Sequence, residues 1–140
     1  MSKSSMWWII ALAWCVMIFC ITESPAATSE NTSWIVKNLT SAPPAIVNIL
    51  DLIIRKMAHV SLFGLLALFL FLANQKRKRA LAIAWILTTL YGATDEFHQI
   101  FTPGRTPAIT DVGIDSFGAI VVLFLFFQIR KSRFFKGNRP

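Results

Sequence analysis

The amino-acid sequence predicts an all-α integral membrane protein, a bundle of four transmembrane helices with both termini in the cytoplasm. Of the 140 residues, 55% are hydrophobic and 15% are charged, which is more apolar surface than a single soluble core of this size would bury. The apolar residues form four blocks separated by short charged stretches, and such blocks are typical of membrane-spanning helices. Basic residues concentrate in three segments outside the blocks, as they do on the cytoplasmic side of membrane proteins.

The first block covers residues 6–21. We expect a retained membrane helix there, because the run is long for the apolar region of a signal peptide. A cleaved signal peptide is the alternative, since Lys3 precedes the block and Ser24-Pro25-Ala26 resembles a cleavage site. With either interpretation, residues 22–44 are expected to form a solvated outer loop.

The other three blocks form the expected helical core. Residues 57–73 make the second block, with an apolar approach from Ala45 and a plausible helix start at Pro43-Pro44. Residues 80–93 make the third and shortest block, which is long enough to span only if its helix continues through Phe101. The fourth block covers residues 112–129. Along the chain we therefore expect a first helix and outer loop in 1–44, a core in 45–130 and a basic tail in 131–140.

The distribution of charge predicts the orientation. Ten of the fourteen basic residues lie at Lys3, in 76–79 and in 130–139, and the positive-inside rule places these segments in the cytoplasm. All seven acids fall outside the membrane or near the outer ends of helices. The net charge of +7 is therefore interpreted as a topology signal and a contact with anionic membrane lipid, not as nucleic-acid binding.

Polar residues distant in the sequence collect at the outer ends of the predicted helices. Lys56 and His59 in the second helix are three residues apart and share a face, as Arg55 and His59 do at four. The third helix is expected to carry one polar stripe: Thr88, Tyr91, Asp95, His98, Gln99 and Thr102. The fourth carries Asp111, Asp115 and Gly118 on one face, and Gly118 would admit a neighbouring helix closely. These faces should turn inward, because a charge facing lipid at mid-bilayer costs roughly 2.5–3.5 kcal/mol.

Candidate roles follow from residue chemistry. Carboxylates and histidine are suited to proton transfer, which makes Asp95, Glu96 and His98 the candidate catalytic residues. Lysine and arginine hold phosphate or carboxylate groups, and a turn at 102–105 would hold Arg105 in place. The candidate ligand-binding residues are Lys56, His59, Gln99, Arg105, Asp111 and Asp115. No cofactor is expected, and no spacing is a strong metal signature.

A purely structural role is the alternative for the same residues. Arg55, Lys56 and Arg105 would then neutralise the four acids Asp95, Glu96, Asp111 and Asp115. His98 would be a partner of Asp111 and nothing more.

Four motifs in this order resemble the VanZ-like family of small bacterial membrane proteins. They are Arg55-Lys56-Met57-Ala58-His59, then Tyr91-Gly92-Ala93-Thr94-Asp95-Glu96-Phe97-His98-Gln99, then Pro103-Gly104-Arg105-Thr106, and Asp111 to Asp115 with Gly118. The resemblance covers about residues 45–125.

The resemblance implies a cell-envelope protein of the bacterial inner membrane, with a possible link to resistance against the glycopeptide teicoplanin. We expect an outer polar pocket that recognises or modifies an anionic or lipid-linked group. Its expected partners are membrane lipid and a lipid-linked cell-wall precursor or glycopeptide. A membrane hydrolase or phosphoryl transferase, and a non-catalytic assembly protein, are the alternatives.

Overall fold

The computed structural model describes residues 2–24, 28–102 and 108–137, with side chains described as far as Lys131. The described residues are all helical apart from caps and turns, which confirms the all-α class. Five helices follow in order: α1 (Lys3–Thr22), α2 (Ser29–Thr40), α3 (Pro44–Asn74), α4 (Ala80–Gln99) and α5 (Ile109–Gly137).

The helix ends have local causes. The Ser2 side chain caps α1 by accepting a hydrogen bond from the Ser5 N–H at 3.1 Å. Pro44 begins α3, where its missing N–H costs nothing, as the Pro43-Pro44 pair predicted. Helix α4 extends beyond residue 93 and ends at Gln99, two residues short of the expected end at Phe101. Beyond Gln99, each backbone N–H from Ile100 to Thr102 donates to the carbonyl oxygen three residues earlier.

The segment expected to be a solvated loop contains a helix, so that expectation is corrected. Within residues 22–44, α2 packs against α3, with Val36 as its one buried residue and with Ser29 and Thr32 bonded to Asp51 of α3. Ser41 then ends α2 in the left-handed conformation, with φ 50°. The apolar residues of the segment thus recur at helical spacing, and packing on α3 stabilises a helix that is too short to form alone.

Three of the described helical segments are long and apolar enough to cross a membrane: Lys3–Thr22, Pro44–Asn74 and Ile109–Lys131. Helix α4 has 20 residues, the same length as α1. It is less apolar because Asp95 and Glu96 lie in its last turns.

Helix α3 is central and packs against each of the other four. Its buried Phe63, Leu66 and Ala67 form the middle of the apolar core. Helix α5 approaches α3 closely at Gly118, where an added Cβ would lie 2.7 Å from the Val60 carbonyl oxygen. This contact confirms the close approach that the sequence predicts for Gly118.

Candidate functional site

Two pairs of side chains join α3 to α5 at the end of the bundle where both helices begin. Lys56 Nζ forms an ion pair with Asp111 Oδ1, and His59 Nδ1 lies 3.0 Å from Asp115 Oδ1. Lys56 and His59 share one face of α3, and Asp111 and Asp115 share one face of α5. Because the two helices run side by side in the same direction, these faces meet as two successive contacts. We call them the α3–α5 pairs.

The α3–α5 pairs differ in depth. The side chains of Lys56 and Asp111 are 31% and 17% exposed, whereas those of His59 and Asp115 are 14% and 0% exposed. The lysine pair therefore lies at the mouth of the site and the histidine pair beneath it. A buried carboxylate attracts its partner more strongly than an exposed one, because water screens it less.

The imidazole of His59 is held in orientation from two directions. Asp115 contacts Nδ1, and the ring stacks on Phe63 with centroids 5.8 Å apart and an interplanar angle of 9°. Phe63 in turn packs against Tyr91 at 6.0 Å. The hydrogen bond through Nδ1 leaves Nε2 as the nitrogen available for proton transfer.

Gly92 makes room for the Asp115 carboxylate. An added Cβ on this α4 residue would lie 3.0 Å from Asp115 Oδ2 and 3.2 Å from Asp115 Cβ. Both distances are tighter than ordinary contact, so the buried carboxylate depends on a glycine one helix away. The motif at 91–99 includes Gly92, but the sequence alone does not predict this contact with Asp115.

Asp95 and Glu96 are neighbours in sequence but face different helices. Asp95 accepts hydrogen bonds from Thr22 Oγ1 at 2.8 Å and from Gln99 Nε2 at 2.9 Å, which connects α4 to the end of α1. Glu96 Oε2 accepts from the Ala108 N–H at 2.8 Å, directly before α5. Both carboxylates are buried, so each stabilises a helix junction.

His98 lies on the α1 side of α4 and is about half exposed. Its Nδ1 is 2.8 Å from Glu23 Oε1, and the Phe19 ring packs edge-on against it at 4.9 Å. Thr102 Oγ1 donates to the same glutamate oxygen at 2.7 Å. The interpretation of His98 as a partner of Asp111 is therefore wrong, and Glu23 takes that place.

Most of the polar stripe expected on α4 faces α1: Tyr91 donates to the Cys15 carbonyl oxygen at 2.6 Å, Asp95 accepts from Thr22, and His98 and Thr102 both bond to Glu23. Thr88, Asp95 and Gln99 are buried, whereas His98 is exposed. The residues joined at the α1 side are called the α1–α4 cluster: Thr22, Glu23, Asp95, His98, Gln99 and Thr102.

The three basic residues expected to neutralise the four acids behave differently. Lys56 does pair with Asp111. Arg55 instead pairs with Asp51 one turn earlier on α3, with Nε 3.2 Å from Oδ2, so its expected role at the site is wrong. Arg105 and the Pro-Gly turn lie outside the described residues.

Three residues at this end of the bundle were not predicted from the sequence: Thr22, Glu23 and Asp51. Asp51 is buried and accepts hydrogen bonds from two residues of α2, Ser29 Oγ at 2.9 Å and Thr32 Oγ1. In the sequence, Asp51 is the single acid within the stretch 45–57 that leads into the second block, and this isolated charge could have indicated its role. Thr22 and Glu23 follow the first apolar block, so the topology that collects the other polar residues also places them here.

The site thus contains carboxylates, two oriented imidazoles and one lysine, which suits proton transfer and anion binding. Within the described ranges, no three His, Cys, Asp or Glu side chains are grouped to hold a metal ion.

Comparison with known proteins gives one match. The family model described as VanZ/LLP1 matches residues 7–131, so the match includes α1 and α2 as well as the motifs of the core. No curated protein and no solved structure matches the chain.

Proposed function

Because the chain belongs to the VanZ/LLP1 family, we propose that it recognises or modifies an anionic or lipid-linked group at the outer face of the bacterial inner membrane. Family membership and three span-length apolar helices make it a membrane protein. Its proposed partners are membrane lipid and a lipid-linked cell-wall precursor or glycopeptide. The proposed phenotype is a change in sensitivity to teicoplanin.

We propose that α4 is a fourth span and that both termini are cytoplasmic. A helix of 20 residues is about 30 Å long, the thickness of the hydrocarbon core. The acids of α4 are buried against α1 and α5 instead of facing lipid, which lowers the cost of membrane placement. A topology reporter fused after Lys78 should then read cytoplasmic, and one inserted near Thr28 should read external. The reverse pattern would contradict the proposed topology.

The observation that carries the proposal is the buried contact of Asp115 with His59 directly beneath the Lys56–Asp111 pair. A carboxylate on Nδ1 fixes the tautomer and orientation of an imidazole, which prepares Nε2 to accept a proton. Lys56 at the mouth offers a partly exposed positive charge to an incoming anion. An anionic group would bind by replacing the Asp111 carboxylate as the partner of Lys56.

A hydrolase or phosphoryl transferase is the second candidate, and the oriented His59 favours it. In that reaction Nε2 would take the proton of an attacking water or hydroxyl group. Lys56, with Arg105 from the family motif, would bind the phosphate oxygens. Asp95, Glu96, His98 and Gln99 remain proposed contributors on the α4 side of the site.

The alternative is that these pairs only hold α3 against α5. Near-isosteric variants distinguish the two: His59→Gln, Lys56→Gln and Asp115→Asn, measured for membrane abundance and for teicoplanin sensitivity. Arg55→Gln is the matched control, because it removes an ion pair on the same helix outside the α3–α5 pairs. We expect His59→Gln to keep its abundance and lose the phenotype. A parallel loss of abundance and phenotype in all three variants would leave only the packing role.

A further inference from the structure

Three buried side-chain oxygens in the described part of the chain have no hydrogen-bond partner. They are Thr88 Oγ1, Glu96 Oε1 and Asp115 Oδ2. Thr88 and Asp115 are 0% exposed and Glu96 is 6% exposed. Buried polar atoms without a partner are rare in proteins, and each one calls for a physical explanation. Thr88 and Glu96 lie on α4, and Asp115 lies on α5.

The three oxygens lie along one line of the contact between α4 and α5. Thr88, Gly92 and Glu96 are spaced four apart, so they form a column on one face of α4. Asp115 Oδ2 from α5 lies opposite the middle of that column, 3.0 Å from where a Cβ on Gly92 would be. The carboxylate oxygen therefore sits between the levels of Thr88 and Glu96, beside the only position of the column that lacks a side chain.

We propose that a water molecule bound next to Gly92, on its Thr88 side, bridges Thr88 Oγ1 and Asp115 Oδ2. The hydroxyl of Thr88 donates to the water, and the water donates to the carboxylate oxygen. Water has a second hydrogen, which suits it to the remaining acceptor, Glu96 Oε1, one turn further along the same face. Buried water typically satisfies polar groups in this way. A metal ion fits less well, because no three ligating side chains are grouped among the described residues.

The bridge gives the His59–Asp115 contact a further support. One Asp115 oxygen holds His59 Nδ1 at 3.0 Å, and the water holds the other oxygen against α4. The carboxylate is then fixed at both oxygens, as a carboxylate that orients a catalytic histidine is in general. Thr88 is thereby a positioning residue that acts through Asp115. This part of the inference rests on the proposed function, whereas the water site itself does not.

Radiolytic footprinting of the full-length protein in membranes tests for the water directly. X-ray activation of a bound water oxidises the side chains next to it, even where bulk solvent has no access. Phe63 is the reporter, because it is 0% exposed and its Cε1 lies 3.5 Å from the Cβ position of Gly92. Phe71 is the internal control, since it is buried among Phe126 and Phe127 in apolar surroundings.

We expect Phe63 to be oxidised several-fold faster than Phe71. Thr88→Val and Gly92→Ala should reduce Phe63 oxidation to the level of Phe71, and Thr88→Ser should retain it because it keeps the hydroxyl. Equal protection of both rings in the unaltered protein would overturn the proposal, as would Phe63 oxidation that is unchanged in both Thr88→Val and Gly92→Ala. Membrane abundance, measured in parallel, identifies a variant that fails to fold.

The role of the water has a separate outcome. Thr88→Val could remove the Phe63 footprint and leave teicoplanin sensitivity unchanged, while His59→Gln changes that sensitivity. The positioning role of Thr88 would then be overturned and the proposed function would stand. If His59→Gln is also without effect, the proposed function itself fails.

Discussion

Thr22, the last residue of α1, donates a hydrogen bond of 2.8 Å to Asp95 near the end of α4, and both side chains are buried. The contact joins the first helix to the acidic end of the core across 73 positions of sequence. Glu23 and His98 form a second contact beside it at 2.8 Å. The end of α1 is therefore part of the candidate site, which favours a retained first helix over a cleaved signal peptide.

The first prediction concerns the retention of α1. Protein carrying an epitope tag before Met1 should stay in the membrane at full mass, because the α1–α4 cluster depends on residues of both helices. Immunoblots against tags at both ends measure this. A shortened membrane form that has lost the N-terminal tag would support the signal-peptide alternative.

A second prediction concerns the energy of the Thr22–Asp95 bond. Thr22→Val should lower the free energy of unfolding by about 1 kcal/mol, since Asp95 loses a buried donor and such bonds are modest within membranes. Thermal unfolding in detergent measures the change. Thr94→Val is the matched control, because Thr94 is exposed on α4 and bonds only to its own helix at the Tyr91 carbonyl. If the two substitutions lowered the free energy of unfolding equally, the Thr22–Asp95 bond would make no specific contribution to stability.

The third prediction concerns the approach of α5 to α3. Gly118→Ala should destabilise the protein by roughly 1–3 kcal/mol, because the new methyl group would lie 2.7 Å from the Val60 carbonyl oxygen and force the helices apart. Gly113→Ala, on the same helix, is the control, since its added methyl group would meet nothing within 4 Å. That change should be neutral or stabilise by up to about 1 kcal/mol through helix propensity. A similar loss of stability for both would contradict the close packing.

The fourth prediction concerns the Lys56–Asp111 pair. A double-mutant cycle with Lys56→Gln and Asp111→Asn should give a coupling of about 0.5–1 kcal/mol, because the pair is partly buried. Chemical or thermal unfolding of the four proteins measures it. The cycle of Arg55→Gln with Asp111→Asn should give no coupling, since Arg55 contacts Asp51 instead. Coupling in the second cycle and none in the first would reverse the assigned partners.

The fifth prediction concerns α2. Its exposed Trp34, Ile35 and Leu39 should lie in the outer lipid interface, where Trp and apolar side chains are favoured. An environment-sensitive fluorophore on Leu39→Cys, with Cys15 and Cys20 replaced by alanine, should report an apolar setting and be quenched by labelled lipid. The same label on Lys37→Cys, nearly half a turn away on the helix, should report water. A water signal from both labels would place α2 away from the bilayer.

Much of the fold could be predicted from the sequence because apolar blocks and charge runs are local signals. They gave the all-α class, the start of α3 at Pro44 and the close approach at Gly118. The expected loop in 22–44 failed because α2 is stabilised through Val36 and Asp51, by contacts with a helix that follows it in the chain. Four-residue spacing shows which side chains share a face, and it does not show which neighbour that face meets.

The sequence by itself determined which of the predicted polar residues share one end of the bundle, because connectivity and helix length leave them no other place. Only the tertiary structure decided the partners: Asp115 for His59, Glu23 for His98 and Asp51 for Arg55. The physical reason is the rotation of each helix about its own axis. Close contacts at Gly92 and Gly118 set that rotation. Which helix a glycine contacts can be seen only in the packed structure.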